Sequence, residues 1–208
     1  MTDALGAVWM FVLDHLAVGA ATLNEGVDWV QSQLGVVLER GGSHEKYGTH
    51  NMLLGLEDGL YLEVIAKDPD TIPSAEHSWF GLDDFTGPPR LANWICCADN
   101  LSDYADTAGP KRRLERGNLR WDITVHDGGR LPFGGGFPTL IKWGACTVHP
   151  AQILKLSGLR LREFTVSHPE ATKIASLAPL DDPRIRFKVG PQGFVARFDG
   201  PNGLKELR

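Results

Sequence analysis

The chain has 208 residues, 42% hydrophobic and 23% charged, the balance of a soluble globular protein that builds one ordinary domain or two small ones. Its net charge of -5 and isoelectric point near 5.8 argue against a polyanionic partner such as nucleic acid, and no apolar run is long enough to span a bilayer. Three cysteines, Cys96, Cys97 and Cys146, make no disulfide framework and no CxxC zinc spacing, which suits a reducing cytosol. The apolar N-terminal stretch lacks a cationic leader region and runs into a patterned strand, unlike a signal peptide.

The first strand is expected over 11–18. Alternation sends Leu13, His15 and Ala17 to one face and Val12, Asp14, Leu16 and Val18 to the other, so an imidazole shares a face with apolar neighbours. Thr22 and Glu25 form a capping box, Leu23, Val27, Val30 and Leu34 recur at helical spacing, and Gly35 ends the helix. An extended segment over 36–38 leads into a glycine-punctuated loop over 40–51 that carries His44 and His50, where close backbone approach favours ligand contacts. Segments 51–56 and 60–66, joined through Asp58-Gly59, read as a hairpin, with Glu63 flanked by aliphatic residues in its second strand. A carboxylate in such a setting requires a cation or a donor beside it.

Residues 67–89 are rich in Pro, Asp and Gly and read as a connector that Trp79 and Phe80 pin to the surface. The pattern then restarts. Laying 91–101 under 13–23 pairs Asn93 with His15, and a short helix over 102–107 precedes strands at 112–114, 119–125 and 139–143. The basic cluster Lys111-Arg112-Arg113 with Arg116 reads as a solvated strand or loop, and Cys96 and Cys97 as small buried hydrophobes. A third copy begins at 159–167, with a helix from His168 and strands at 184–189 and 193–198, and Glu163 falls opposite His15. His149 and His168 each precede a proline and read as helix caps. The expected fold is α+β, built from repeated βαβββ units that form curved antiparallel sheets: a paired domain over 1–150 (units 8–67 and 90–145) and a C-terminal partial repeat over 151–208.

Several stretches carry a family resemblance: Leu13-Asp14-His15-Leu16-Ala17-Val18, Gly42-Ser43-His44 with Gly48-Thr49-His50-Asn51, Tyr61-Leu62-Glu63-Val64-Ile65-Ala66, and Lys142-Trp143-Gly144 onward to His149-Pro150-Ala151. They resemble the glyoxalase-like domain proteins of the vicinal oxygen chelate superfamily. The resemblance implies two units whose sheets pair into a cup, each giving one ligand from its first strand and one from its last, around a divalent metal that stabilises an enediolate-like charge. It carries the metal-ligand positions onto His15 and Glu63, with zinc, nickel, manganese or iron as the fitting ions. The second unit departs from the pattern with Asn93 and Lys142, and a protonated ammonium coordinates no cation. His44, His50 and Glu163 are candidates to complete the set.

The resemblance then implies a protein whose cup binds a small oxygenated compound, a dicarbonyl or hydroxy-carbonyl, and promotes proton transfer, of lyase or isomerase type. Glu63 serves as ligand or general base, and Lys142 as an electrostatic clamp on an enolate or carboxylate oxygen. His44, His50, Asn93 and Trp143 are the expected substrate contacts; Trp94, Trp121 and Trp143 fall on strands where an aromatic wall would suit an apolar substrate, with ordinary core packing the favoured reading. The competing readings are a non-catalytic protein of the same fold that sequesters a ligand, and a homodimer paired through the exposed edge of the tail unit.

Overall fold

The computed structural model describes residues 10–208; the leader reading, which falls mostly on residues 1–9, and the start of the unit at residue 8 lie outside them. Two sheets pack over one shared hydrophobic cluster, and a second cluster lies on the cup side of the first sheet. That first sheet has eight strands in the order β2-β3-β4-β1-β5-β8-β7-β6: β1 (Val12–Gly19), β2 (Glu39–His44), β3 (Thr49–Gly55), β4 (Tyr61–Lys67), β5 (Arg90–Cys97), β6 (Lys111–Arg116), β7 (Leu119–Thr124) and β8 (Thr139–Trp143). Its two halves have the same internal order, and β1 pairs antiparallel with β5 at the seam while β4 and β8 run parallel to β1 and β5. Across the seam His15 faces Ile95 and Ala17 faces Asn93. That pairing is reciprocal, as it must be if Asn93 and Ile95 are the counterparts of His15 and Ala17 in a doubled unit. The sheet curls so far that its two edge strands meet, His44 of β2 touching Arg116 of β6, and the cup therefore closes within a single chain.

Helix α1 (Leu23–Leu34) covers the back of the first half. Thr22 accepts from the Glu25 amide at 3.3 Å, and Gly35 adopts the left-handed conformation at the other end, where its N–H reaches the Gln31 carbonyl. Val30 and Leu34 point from it into the core with Leu62 and Val64 of β4. In the second half the helix shrinks to a 3-10 turn over Leu101–Tyr104 running into α2 (Ala105–Ala108).

Beyond α3 (Pro150–Ile153), a second sheet in the order β10-β9-β11-β12 is built from β9 (Arg160–His168), β10 (Ile185–Val189), β11 (Gly193–Gly200) and β12 (Gly203–Leu207), with α4 (Ala171–Leu177) following β9. Along the chain it repeats the strand, helix, three-strand order, but β9 pairs with β10 and β11 instead of with its last strand. It packs behind the seam, where Trp94 meets Phe164 and Phe187 at 5.7 and 6.1 Å. Trp94 therefore belongs to this rear core and not to the cup wall. Glu163 lies in this second sheet, ion-paired with Arg197 at 2.8 Å.

The stretch over 40–51, expected as a loop, is instead two paired strands. A register break between Arg40 and Ser43 admits Gly41-Gly42, which is why a glycine-rich segment can still pair. The connector also differs from expectation. Trp79 and Phe80 are buried and stack with Tyr47 into a three-ring pile, at 4.6 and 4.8 Å, that closes one side of the cup. Phe80 holds a positive φ of 58°, an uncommon conformation for a bulky residue.

Candidate functional site

Sequence neighbours in a regular strand point to opposite faces, so Asp14 and His15 should be apart. A bulge in the β1–β5 ladder between Leu13 and His15 overturns that expectation. The extra residue breaks the alternation, Leu13 joins the rear core, and Asp14 turns to meet its neighbour, with 2.5 Å between Asp14 Oδ1 and His15 Nδ1. The other carboxylate oxygen, Oδ2, accepts from Trp143 Nε1 at 2.8 Å, His149 Nε2 at 3.0 Å and the Cys97 thiol at 3.0 Å. Burial pushes the Asp14 pKa up, but the donors from His149, His15 and Cys97 hold it well below the usual carboxylate range.

His149 is the cap of α3, as expected. Its Nδ1 accepts from the Ala151 amide at 3.3 Å, which assigns the ring proton to Nε2 and makes the His149 ring a donor to Asp14. Nothing in the sequence links this residue to β1, so its place beside Asp14 is a finding of the fold.

With Nδ1 given to Asp14, His15 presents Nε2 to the cup, 3.6 Å from Glu63 Oε2. Both side chains are nearly fully buried, and Tyr61 stacks on the imidazole at 4.2 Å. Burial pushes the His15 pKa down, yet the hydrogen bonds and charges of Asp14 and Glu63 outweigh it and raise it to about 9. Burial likewise opposes ionisation of Glu63, and the His15 contact together with the Asn51 amide, 2.5 Å from Oε1, lowers its pKa instead. An imidazolium and a carboxylate thus face each other inside an apolar chamber at neutral pH.

Asn51 occupies the place that His50 was expected to take. On β3, Thr49, Asn51 and Leu53 face the cup and His50 faces away, near Asp68. Gly41 makes room for Asn51, because a β-carbon there would collide with the Asn51 amide oxygen. That oxygen accepts from the Gly42 N–H at 2.8 Å and faces Arg116 NH1 at 3.4 Å. His44 does reach the cup. Arg116 can only donate, so His44 Nε2 accepts from it at 3.0 Å and Nδ1 carries the proton toward Thr49 Oγ1 at 3.1 Å. Thr49 Oγ1 also accepts from Trp79 Nε1 at 3.0 Å. Burial, with Arg116 adding to it against the pull of Glu63, lowers the His44 pKa to about 4.

The second half differs from the first at both ligand positions. Ala17 is beside Glu63 on the first parallel ladder and Ile95 is beside Thr139 on the second, so the counterpart of Glu63 is Thr139. Lys142 is not that counterpart. It lies on the outer face of β8, and its ammonium donates to the Asp99 carbonyl at 2.6 Å. Asn93 is buried and bonded within its own half: Nδ2 donates to Thr139 Oγ1 at 2.9 Å and Oδ1 accepts from the Trp94 amide at 2.9 Å. Trp143 and Trp121 do line the cup.

This donor set does not fit a divalent metal. His15 and Glu63 offer two strong ligands that already face each other, whereas Asn93 and Thr139 offer an amide and a hydroxyl spent on one another. Among the described residues no three His, Cys, Asp or Glu side chains are grouped to hold an ion. The inner chamber, bounded by His15, Glu63, Asn51, Tyr61, Trp79 and Trp143, has a volume of about 40 Å³.

Compared with known proteins, residues 13–179 match the family described as a glyoxalase-like domain. Among solved structures, a hypothetical protein from Staphylococcus aureus superposes with a TM-score of 0.59 at 14% identity, over 88% of each chain. A methylmalonyl-CoA epimerase from Mycobacterium tuberculosis gives 0.42 at 18% identity, over 67% of this chain and 92% of its own. A methylmalonyl-CoA epimerase in complex with methylmalonyl-CoA gives 0.41 at 16%, over 66% and 97%. No curated protein matches the chain.

Proposed function

The chain belongs to the glyoxalase-like domain family of the vicinal oxygen chelate superfamily, and from that premise we propose that its cup binds a small oxygenated compound, a dicarbonyl or hydroxy-carbonyl, and moves a proton on it. Glu63 is the general base that removes a proton from the carbon beside a carbonyl. The His15 imidazolium is the donor that stabilises the enolate oxygen that then forms. Asp14 holds His15 in the required orientation and charge state. The reaction is of lyase or isomerase type, and no metal step is needed: a buried cation opposite a buried base supplies the charge stabilisation that a Lewis acid would otherwise provide.

The observation that carries this reading is the approach of His15 Nε2 and Glu63 Oε2 to 3.6 Å inside the cup. The cytosolic setting belongs to the same proposal and is supported by three free thiols. A second reading, a non-catalytic binding protein, is favoured by the small inner chamber, which holds little more than a water-sized group. The two part on one experiment. In D2O, methylglyoxal, dihydroxyacetone and hydroxyacetone are followed by proton NMR. Catalysed exchange of carbon-bound protons that disappears in Glu63→Gln supports the enzyme; thermal stabilisation by a panel compound without exchange supports the binding protein.

A further inference from the structure

Arg116 is the residue that the charge pattern leaves unexplained. Of its five N–H donors, those on NH1 reach His44 Nε2 and Asn51 Oδ1; both partners are neutral. Among the described residues no carboxylate lies within 4.0 Å of its guanidinium, although Lys111, Arg112, Arg113 and Arg120 around it all have one. Its Nε and NH2 donors have no partner within the described protein, and a half-buried guanidinium with free donors in a fixed fork suits a carboxylate.

Its position gives those donors a use. An outer groove of about 650 Å³ runs along β2 and β6. His44, Arg116 and Trp121 line both this groove and the inner chamber, so the contact between His44 and Arg116 is the partition between them. Rim charges on the groove are mixed, Lys46 and Arg113 against Glu45 and Glu115, and they favour neither sign. Selection falls to the partition. A neutral imidazole offers a guanidinium one lone pair, whereas a carboxylate offers a full opposite charge and two oxygens that match the guanidinium fork.

We propose that Arg116 anchors the carboxylate of a small 2-oxo or 2-hydroxy acid, which enters through the outer groove and displaces His44 from the guanidinium. Asn51 bonds Arg116 on one side and Glu63 on the other, so an acid held on Arg116 directs its carbonyl end toward Glu63 and His15. Displacing His44 also joins the groove to the chamber, which resolves how a 40 Å³ space accepts a three- or four-carbon compound. The inference rests on the reading of the cup as a binding chamber and names the class of compound it takes.

The test measures dissociation constants for pyruvate, 2-oxobutanoate and lactate beside their uncharged amides, on the wild type and on Arg116→Gln and Arg113→Gln. At least one acid is expected to bind the wild type, about tenfold or more tighter than its amide. Arg116→Gln loses that preference, and Arg113→Gln keeps it. The proposal is overturned if no acid binds, if acid and amide bind alike, or if folded Arg116→Gln still prefers the acid. The wild-type acid and amide comparison stands even if a variant fails to fold. An acid preference without exchange of carbon-bound protons would sink the proton-transfer reading and leave the anchor standing; exchange on uncharged ketones without acid preference would do the reverse.

Discussion

Replacing Asp14 by Asn is the sharpest perturbation of the buried network. Asp14 accepts from four groups, His15, Trp143, His149 and Cys97, and an amide accepts through one oxygen only while turning an NH2 toward donors. Two consequences can be sized. Breaking one partner of a buried ion pair costs roughly 3–5 kcal/mol, because it leaves the other charge uncompensated. His15, raised to about 9 in the intact site, keeps its burial and loses its first carboxylate, so its pKa should fall to the unperturbed value of about 6.5 or lower. Imidazole resonances followed by NMR between acid and alkaline pH read the second quantity, and urea unfolding at neutral pH reads the first. A folded Asp14→Asn protein whose His15 still titrates near 9, or whose stability changes by less than about 1 kcal/mol, would refute the claim that Asp14 sets the charge of His15.

Stability should depend on pH from both sides. The raised pKa of His15 means that its contribution is complete below about 6.5 and is lost as pH rises through about 9. The lowered pKa of His44 means that its contribution is complete above about 6.5 and is lost as pH falls through about 4. Urea midpoints across pH should show both limbs, with the acid one flattened in His44→Gln; an unchanged acid limb would contradict the burial of a neutral His44. Gly41→Ala drives a methyl into the Asn51 amide and should cost about 1–3 kcal/mol in a thermal melt through the hydrogen bonds to Gly42 and Glu63; an unaltered melting temperature would show that Asn51 is not held as described. Chelator treatment and added zinc should both leave the melting temperature where it is, since ligand binding to the folded state would raise it. Stoichiometric metal in the purified protein, lost in His15→Ala, would contradict the reading of the donor set.

Features set by local chemistry were legible in the sequence. Thr22, Glu25 and Gly35 bound α1 because capping and a left-handed end are decided within a few residues. His15 and Glu63 stood out because polar groups interrupt two apolar strands, and they do converge. What was not legible depends on which strand lies next door. The bulge that joins Asp14 to His15 is a property of the β1–β5 pairing. One residue of phase on β3, hidden inside a stretch that reads as a loop, decides that Asn51 and not His50 enters the cup. Arg116 looks solvated beside Lys111, Arg112 and Arg113, and only the curl of the sheet brings it to His44. Thr139, the counterpart of Glu63, stands three residues before Lys142, and only the ladder that places it beside Ile95 reveals this. In the tail, the order of elements along the chain resembles the first unit while the order of strands in the sheet does not, because sequence pattern specifies elements more firmly than neighbours.

The most direct measurement is the rate at which chelator-treated protein exchanges the carbon-bound protons of a small carbonyl compound with solvent deuterium, compared with His15→Gln. Exchange that survives the chelator and falls by about 100-fold or more in the variant is the predicted result. Exchange that needs added metal, or that proceeds equally in His15→Gln, would contradict a metal-free pair of His15 and Glu63 as the working centre of the cup.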